Sequence, residues 1–321
     1  MNVMQSFLPS ESTATVAILL LAGLLGVLLL TAFFRKKLEK KEALDRLPDQ
    51  FFIPEESMSV PATLAYVKNG IFSPYITAAA FMELIRKGII REISEGQYEL
   101  ISRDVDHPHE ELLLSLLFER VNYGAPVFQL NDLTYFIEYQ TNDLLFLEAH
   151  NAWRKEVKRE VHLSRVFDTI PMLRSWLIAI SLISGTMATA CGMGGWVGHS
   201  AAAWTISSIS MVVAILYKTR SSFGHQQVEA WHAFRNSFDT FGNFNETLWN
   251  QFSEQDRFRA YAFAIGAQDQ HAEERLDAEW HRLGLSEVVA EKNRIVDHFL
   301  QAIQRAEQRE MSRHSHRGIV Q

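Results

Sequence analysis

The chain has 321 residues, 47% of them hydrophobic, with 31 Lys and Arg against 38 Asp and Glu and a formal net charge of −7. That length allows about two domains. The acidic balance argues against general nucleic-acid binding, which rests on Lys and Arg neutralising phosphates, and the single cysteine, Cys191, excludes an intrachain disulfide and a CxxC site.

From Thr13 to Phe34 no residue is charged. A hydrocarbon core about 30 Å thick needs roughly 20 apolar helical residues. Residues 13–34 therefore predict a first transmembrane helix behind an extracytoplasmic N-terminus, residues 1–12. The opening "MNVMQSFLPSES" has no Lys or Arg, and no convincing small-x-small cleavage site precedes Arg35. The segment thus reads as an uncleaved anchor rather than a signal peptide.

Residues 35–174 form the first polar region. "PDQFFIPEESMSVPATLAYVKNGIFSP" is punctuated by proline and reads as extended. "YITAAAFMELIRKG" carries Ile76, Ala80, Phe81, Leu84 and Ile85 at helical spacing, with Gly88 placed as a C-terminal cap. "IIREI" and "QYELI" flank Ser94–Gly96 as a hairpin would. A helix feeding a β-wing is the winged-helix pattern. A second cycle follows: "HPHEELLLSLLFERV" starts a helix with Glu110 and Glu111 in its first turn, where the macrodipole favours anions. "APVFQLNDL" then offers a strand and Asn131 as a cap, and a long helix spans about Asn142 to Leu163. The expectation is two winged-helix-like units in tandem.

Ser175 to Tyr217 contains no charged residue besides His199 and is long enough for two short spans, 175–192 and 200–217. Between them lies a Gly-rich outer hairpin, 193–199. Cys191 reads as a small membrane-buried residue. Small and hydroxyl residues mark both helices: Ser181, Ser184, Gly185 and Thr186 in one, Thr205, Ser207, Ser208 and Ser210 in the other. They suit close helix packing within the bundle or self-association. The scarcity of intramembrane charge argues against an ion pathway.

Residues 218–321 form the second polar region. Trp231, Phe234, Phe238, Phe241, Trp249, Phe252, Phe258, Tyr261 and Phe263 recur at helical spacings and predict a small helical core rather than an aromatic-ligand pocket. A long polar helix follows from Glu273 and ends in a frayed tail. Basic residues cluster after the first span ("RKKLEKKEALDR"), before the second (Arg174) and after the third ("KTR"), and the other flanks have none. The positive-inside bias places the N-terminus outside and both polar regions in the cytoplasm.

The ordered patterns "FFIPEESMSVPATLAYVKNG", "ITAAAFMELIRKGIIREI", "HEELLLSLLF", a membrane hairpin, "EAWHAFRNSF" and "RAYAFAIGAQD" resemble the C-terminal part of the YciQ-like family of membrane proteins, a domain of unknown function. The resemblance covers roughly residues 50 to 270 and implies a membrane location with cytoplasmic domains, but no reaction. Fuller members carry a large extracytoplasmic β-rich domain ahead of the first matching span; here that N-terminal domain is expected to be lacking.

Between Leu47 and Leu147 fifteen acidic residues face six basic ones, a net charge of about −9. The wing's helix offers only Arg86 and Lys87 to a phosphate backbone, so DNA reading is disfavoured. The "WRKEVKRE" cluster around Trp153 reads as a solvated helix face, with a lipid-facing role as the alternative. "HPHEE" brings His107, His109 and Glu110 together and the tail holds "HSH", but neither matches a zinc-site spacing, so solvent-exposed histidines are expected. No P-loop, GxGxxG or GxSxG motif occurs.

No catalytic, cofactor-binding or metal-ligating residue is assigned, and no cofactor is expected. The sequence predicts a mainly α membrane protein: three transmembrane helices, tandem winged-helix-like α+β cytoplasmic units and a C-terminal helical cytoplasmic region. It would sit multi-pass in a bacterial inner membrane as a non-enzymatic scaffold or regulatory protein, with lipid and a protein as partners. A membrane-anchored transcription regulator is the alternative.

Overall fold

A computed structural model describes residues 11–47, 52–54, 57–139, 141–164, 166–167, 172–216, 220–239, 249–282, 284 and 286–317. In chain order the elements are α1 (Glu11–Asp45), α2 (Val60–Val67), α3 (Pro74–Arg86), β1 (Ile90–Ser94), β2 (Gln97–Leu100) and α4 (Pro108–Leu114), which runs on as a π-helix through Ser115–Val121. Then come β3 (Val127–Gln129), α5 (Leu130–Glu138), α6 (Asn142–Leu163), α7 (Met172–Met193), α8 (Val197–Leu216), α9 (Ser222–Asp239), α10 (Glu254–Ala267), α11 (Gln270–Arg282) and α12 (Ser286–Arg317). They fall into two units, residues 1–47 with 165–226 and residues 48–164 with 227–321.

Among the described residues, the first unit holds three helices long and apolar enough to cross a membrane: α1, α7 and α8. At 1.5 Å per residue α1 is about 50 Å long, more than a bilayer core needs. Its last turns are the charged stretch from Arg35 onward, where Arg35 pairs with Glu39 at 2.6 Å. Ile18 and Leu25 of α1 pack with Leu177, Ile180 and Ala188 of α7 and Ala203, Ile206 and Ala214 of α8. Most of the remaining apolar surface, including Leu19, Leu20, Leu182 and Val212, is bare, as lipid contact demands. Between α7 and α8 the chain turns at Gly195, whose φ of +80° favours glycine. The Trp196 amide closes the turn on the Cys191 carbonyl at 2.9 Å. Cys191 itself is fully buried.

The second unit joins the stretches on either side of the α7–α8 hairpin in one core. Helix α3 ends at Arg86 and Gly88 takes φ +68°, the left-handed conformation that stops a helix. The chain then enters β1, pairs antiparallel with β2 (Ile90 opposite Leu100, Glu92 opposite Tyr98) and turns at Gly96. The strand of the expected second cycle, β3, adds to the free edge of β2, with Phe128 opposite Tyr98. One three-stranded sheet in the order β1-β2-β3 results, shared by both cycles. Gln129, not Asn131, is the N-cap of α5, because the Asp132 carboxylate accepts from the Gln129 amide at 2.9 Å.

The core is aromatic. Phe81 of α3 meets Tyr98 at 4.8 Å between ring centres, edge to face, and Phe299 of α12 at 5.4 Å. Trp231 of α9 stacks on Phe263 of α10 at 3.7 Å. Thus the aromatic stretch after the hairpin builds one core with α3, not a small one of its own; Phe241 and the Phe238 side chain lie outside the described positions. Trp153, expected on a solvated face, is fully buried in α6 against Phe72 and His150. Its basic neighbours Arg154 and Lys158 stay outside and lie over the Phe72 ring. Helix α12 straps the unit: Arg294 reaches Glu92 and Glu95 of the hairpin at 3.0 and 3.2 Å, and Arg313 binds the buried Asp143.

Candidate functional site

Three segments of the second unit meet at a polar cluster: the N-terminus of α2, the N-terminus of α4, and α6. Ser59 precedes a Val-Pro start and caps α2, its Oγ accepting from the Ala62 amide. His107 precedes Pro108 and is the N-cap of α4, and His109 stands in the first turn beside it. Glu160 comes from the last turns of α6.

Glu160 is the hub. Its Oε1 accepts from the Ser59 amide and its Oε2 from the Ser59 hydroxyl, both at 2.8 Å. His109 Nε2 lies 2.9 Å from Glu160 Oε2 and 3.0 Å from Ser59 Oγ. His107 Nδ1 lies 3.7 Å from Glu160 Oε1. The two imidazoles stack 5.3 Å apart and are nearly parallel. Burial would raise the Glu160 carboxyl, but hydrogen bonds from His109 and the Ser59 amide, with the charges of His109 and His107, outweigh it and hold the group below its ordinary value.

The histidines expected in solvent are therefore not there: His109 is 1% exposed, and His107 is intermediate. Glu110 does not join them. Its carboxylate accepts from the amides of Asp106 and His107 and pairs with Lys87 at 2.6 Å, as a helix-start anion should. Glu160 takes its place, and neither it nor Ser59 carries a local signal: Ser59 and Glu160 are 101 positions apart. The His314 and His316 side chains lie outside the described positions.

Ser, His and Glu in contact invite comparison with a hydrolytic triad. That arrangement needs the nucleophile on one imidazole nitrogen and the carboxylate on the other. Here both crowd Nε2, His109 Nδ1 is buried without a hydrogen-bond partner among the described residues, and Ser59 is fully buried. What His107, His109 and Glu160 do offer is three ligand atoms within 4.8 Å of one another, a spacing able to hold a metal ion.

The end of α3 is equally committed. Arg86 pairs with Glu83 at 2.7 Å, and Lys87 with Asp106 at 2.8 Å as well as with Glu110; both bases are nearly buried. Burial alone would lower Lys87, yet its bonds to Asp106 and Glu110 raise it, so it stays charged and neutralised in place. The residues that a DNA-reading wing would extend to phosphates are used inside the fold.

With three spanning-length helices and this polar unit, the chain is a membrane protein. Residues 49–274 match the family described as predicted membrane protein (DUF2207), C-terminal domain, and the chain belongs to that family. No curated protein and no solved structure matches it.

Proposed function

We propose that the protein is a non-enzymatic scaffold or regulatory module that presents its second unit to a protein partner on the cytoplasmic face of a bacterial inner membrane. The carrying observation is three exposed tyrosines in and beside α5 of an acidic unit: Tyr123, Tyr135 and Tyr139 are 80%, 61% and 70% exposed. Tyrosine is enriched at protein interfaces, where its ring supplies area and its hydroxyl a polar handle. The winged-helix-like hairpin, strapped by Arg294, serves this unit as scaffold. Internal pairing of Arg86 and Lys87 supports a protein partner over nucleic acid.

Topology supports the same reading. Residues 48–164 and 227–321 share a core, so both lie on one side of the bilayer, which two crossings between them allow. The Lys and Arg bias of the flanks favours the cytoplasmic side.

The test is photocrosslinking in living cells with a photoreactive residue at Tyr135. We expect one discrete protein adduct, absent when the probe replaces the buried Trp153. Salt-sensitive binding of duplex DNA by the full-length protein at physiological ionic strength, without a protein adduct, would overturn the reading.

A further inference from the structure

We propose that His107, His109 and Glu160 form a binding site for a divalent transition-metal ion, with zinc as the ion that the donor set fits best. Two imidazole nitrogens and one carboxylate make a borderline nitrogen-oxygen set with no thiolate. Such a set suits zinc and its first-row neighbours rather than the hard ions magnesium and calcium or soft Cu(I).

The geometry is close to what coordination requires. Zinc holds nitrogen and oxygen ligands at about 2.0–2.1 Å, which sets tetrahedral donors about 3.3 Å apart. At Glu160 the separations are 2.9 Å from Oε2 to His109 Nε2 and 3.7 Å from Oε1 to His107 Nδ1, on either side of that figure. All three donor atoms lie within 4.8 Å of one another, so the side chains would draw together on the ion.

The surroundings also match a built site. The Ser59 amide and hydroxyl hold the Glu160 carboxylate, the kind of outer partner that orients a ligating group. His109 closes the floor, while His107, 29% exposed at its side chain, leaves a way in from solvent. Three protein ligands leave a fourth position for water or a partner's group. The ion would tie the start of α4 to α6, while the start of α2 stays joined to Glu160 through Ser59.

The experiment uses the full-length protein, untagged and purified in detergent without chelator. Metal content is measured by mass spectrometry after equilibration with zinc, and cobalt(II) is loaded separately for its visible absorption. We expect about one zinc per chain, a tetrahedral cobalt spectrum, and at least a tenfold loss of affinity in His107→Ala and Glu160→Gln. His107→Ala is the decisive variant, because its side chain is partly exposed and the Glu160 carboxylate keeps both Ser59 hydrogen bonds without it. Ser59→Ala should weaken binding by about 10- to 100-fold, the usual cost of losing an outer partner. Binding that persists in His107→Ala but vanishes in His314→Ala/His316→Ala would assign the metal to the tail and overturn the proposal. So would a wild-type protein that holds no zinc and gains no thermal stability from it.

Discussion

Ser181 and Ser207 exchange hydrogen bonds across the α7–α8 hairpin. Ser181 Oγ donates to the Ser207 carbonyl at 3.0 Å, and Ser207 Oγ donates to the Ser181 carbonyl at 2.8 Å. Each hydroxyl reaches the other helix's backbone, which is possible only where the two helices come very close. Gly185 marks that approach: a Cβ there would stand 3.3 Å from Ser207 Oγ. Single Ser→Ala changes should each cost about 0.6 kcal/mol, the average for hydrogen bonds between membrane helices. Gly185→Leu should cost more, because it forces the helices apart. Unfolding of the full-length protein in detergent measures both; a Gly185→Leu variant as stable as wild type would refute the close approach.

Gly266 occupies the corresponding position in the second unit. A Cβ there would overlap Leu64 Cδ1 and come within 3.1 Å of Ala79 Cβ. Leu64 and Ala79 are both fully buried, so neither can step aside. Gly266→Ala should therefore destabilise by about 1–3 kcal/mol, the usual range for overpacking a core. Adding Leu64→Ala should recover part of that loss. Chemical denaturation of the single and double variants gives the coupling, and additive losses would count against this packing.

Glu291 gives the second unit a pH dependence. Burial, and then the Glu92 charge, push its carboxyl from 4.5 up to about 7, with Arg294 opposing. In the folded state it therefore keeps a proton that the unfolded chain has already released. Stability is greatest below about pH 4.5 as far as this group is concerned, falls as pH rises to about 7, and stays reduced above. The full effect is about 3 kcal/mol at most. Glu291→Gln should remove the slope, matching wild type at pH 4.5 and exceeding it at pH 8. Parallel pH curves for the two proteins would show that Glu291 is not the cause.

Sidedness can be tested with the natural cysteine in place, because Cys191 is fully buried. A Tyr135→Cys variant should react with an impermeant maleimide only after cells are opened, and a Val197→Cys variant should react in intact cells. The reverse pattern would invert the topology.

Features of one stretch of chain were legible in the sequence. The three helices of spanning length announce themselves by the absence of charge over a bilayer's thickness. The β1–β2 hairpin does so by two β-prone runs around a glycine turn, and the stop at Gly88 by the need for a left-handed residue. What was illegible depends on distant partners. Trp153 sits among Arg154, Lys155 and Lys158, and only its neighbours' charges speak locally. Its burial comes from Phe72, far back in the chain. Glu160 read as one more charge on a solvated helix, and nothing near it names His109 or Ser59. Likewise β3 had the look of a strand, but its pairing with β2 rather than with a partner of its own is set by the fold.

The core of the second unit is interrupted in the chain by the membrane hairpin. Helix α3 makes its apolar face early in synthesis, but α10 and α12, which cover it, are made only after α7 and α8. During translation Phe81 must wait for Phe299 while two membrane helices are inserted. Insertion thus acts as a checkpoint on folding. A chain that threads only one of the pair would leave the two halves on opposite sides of the bilayer, where neither can complete the core.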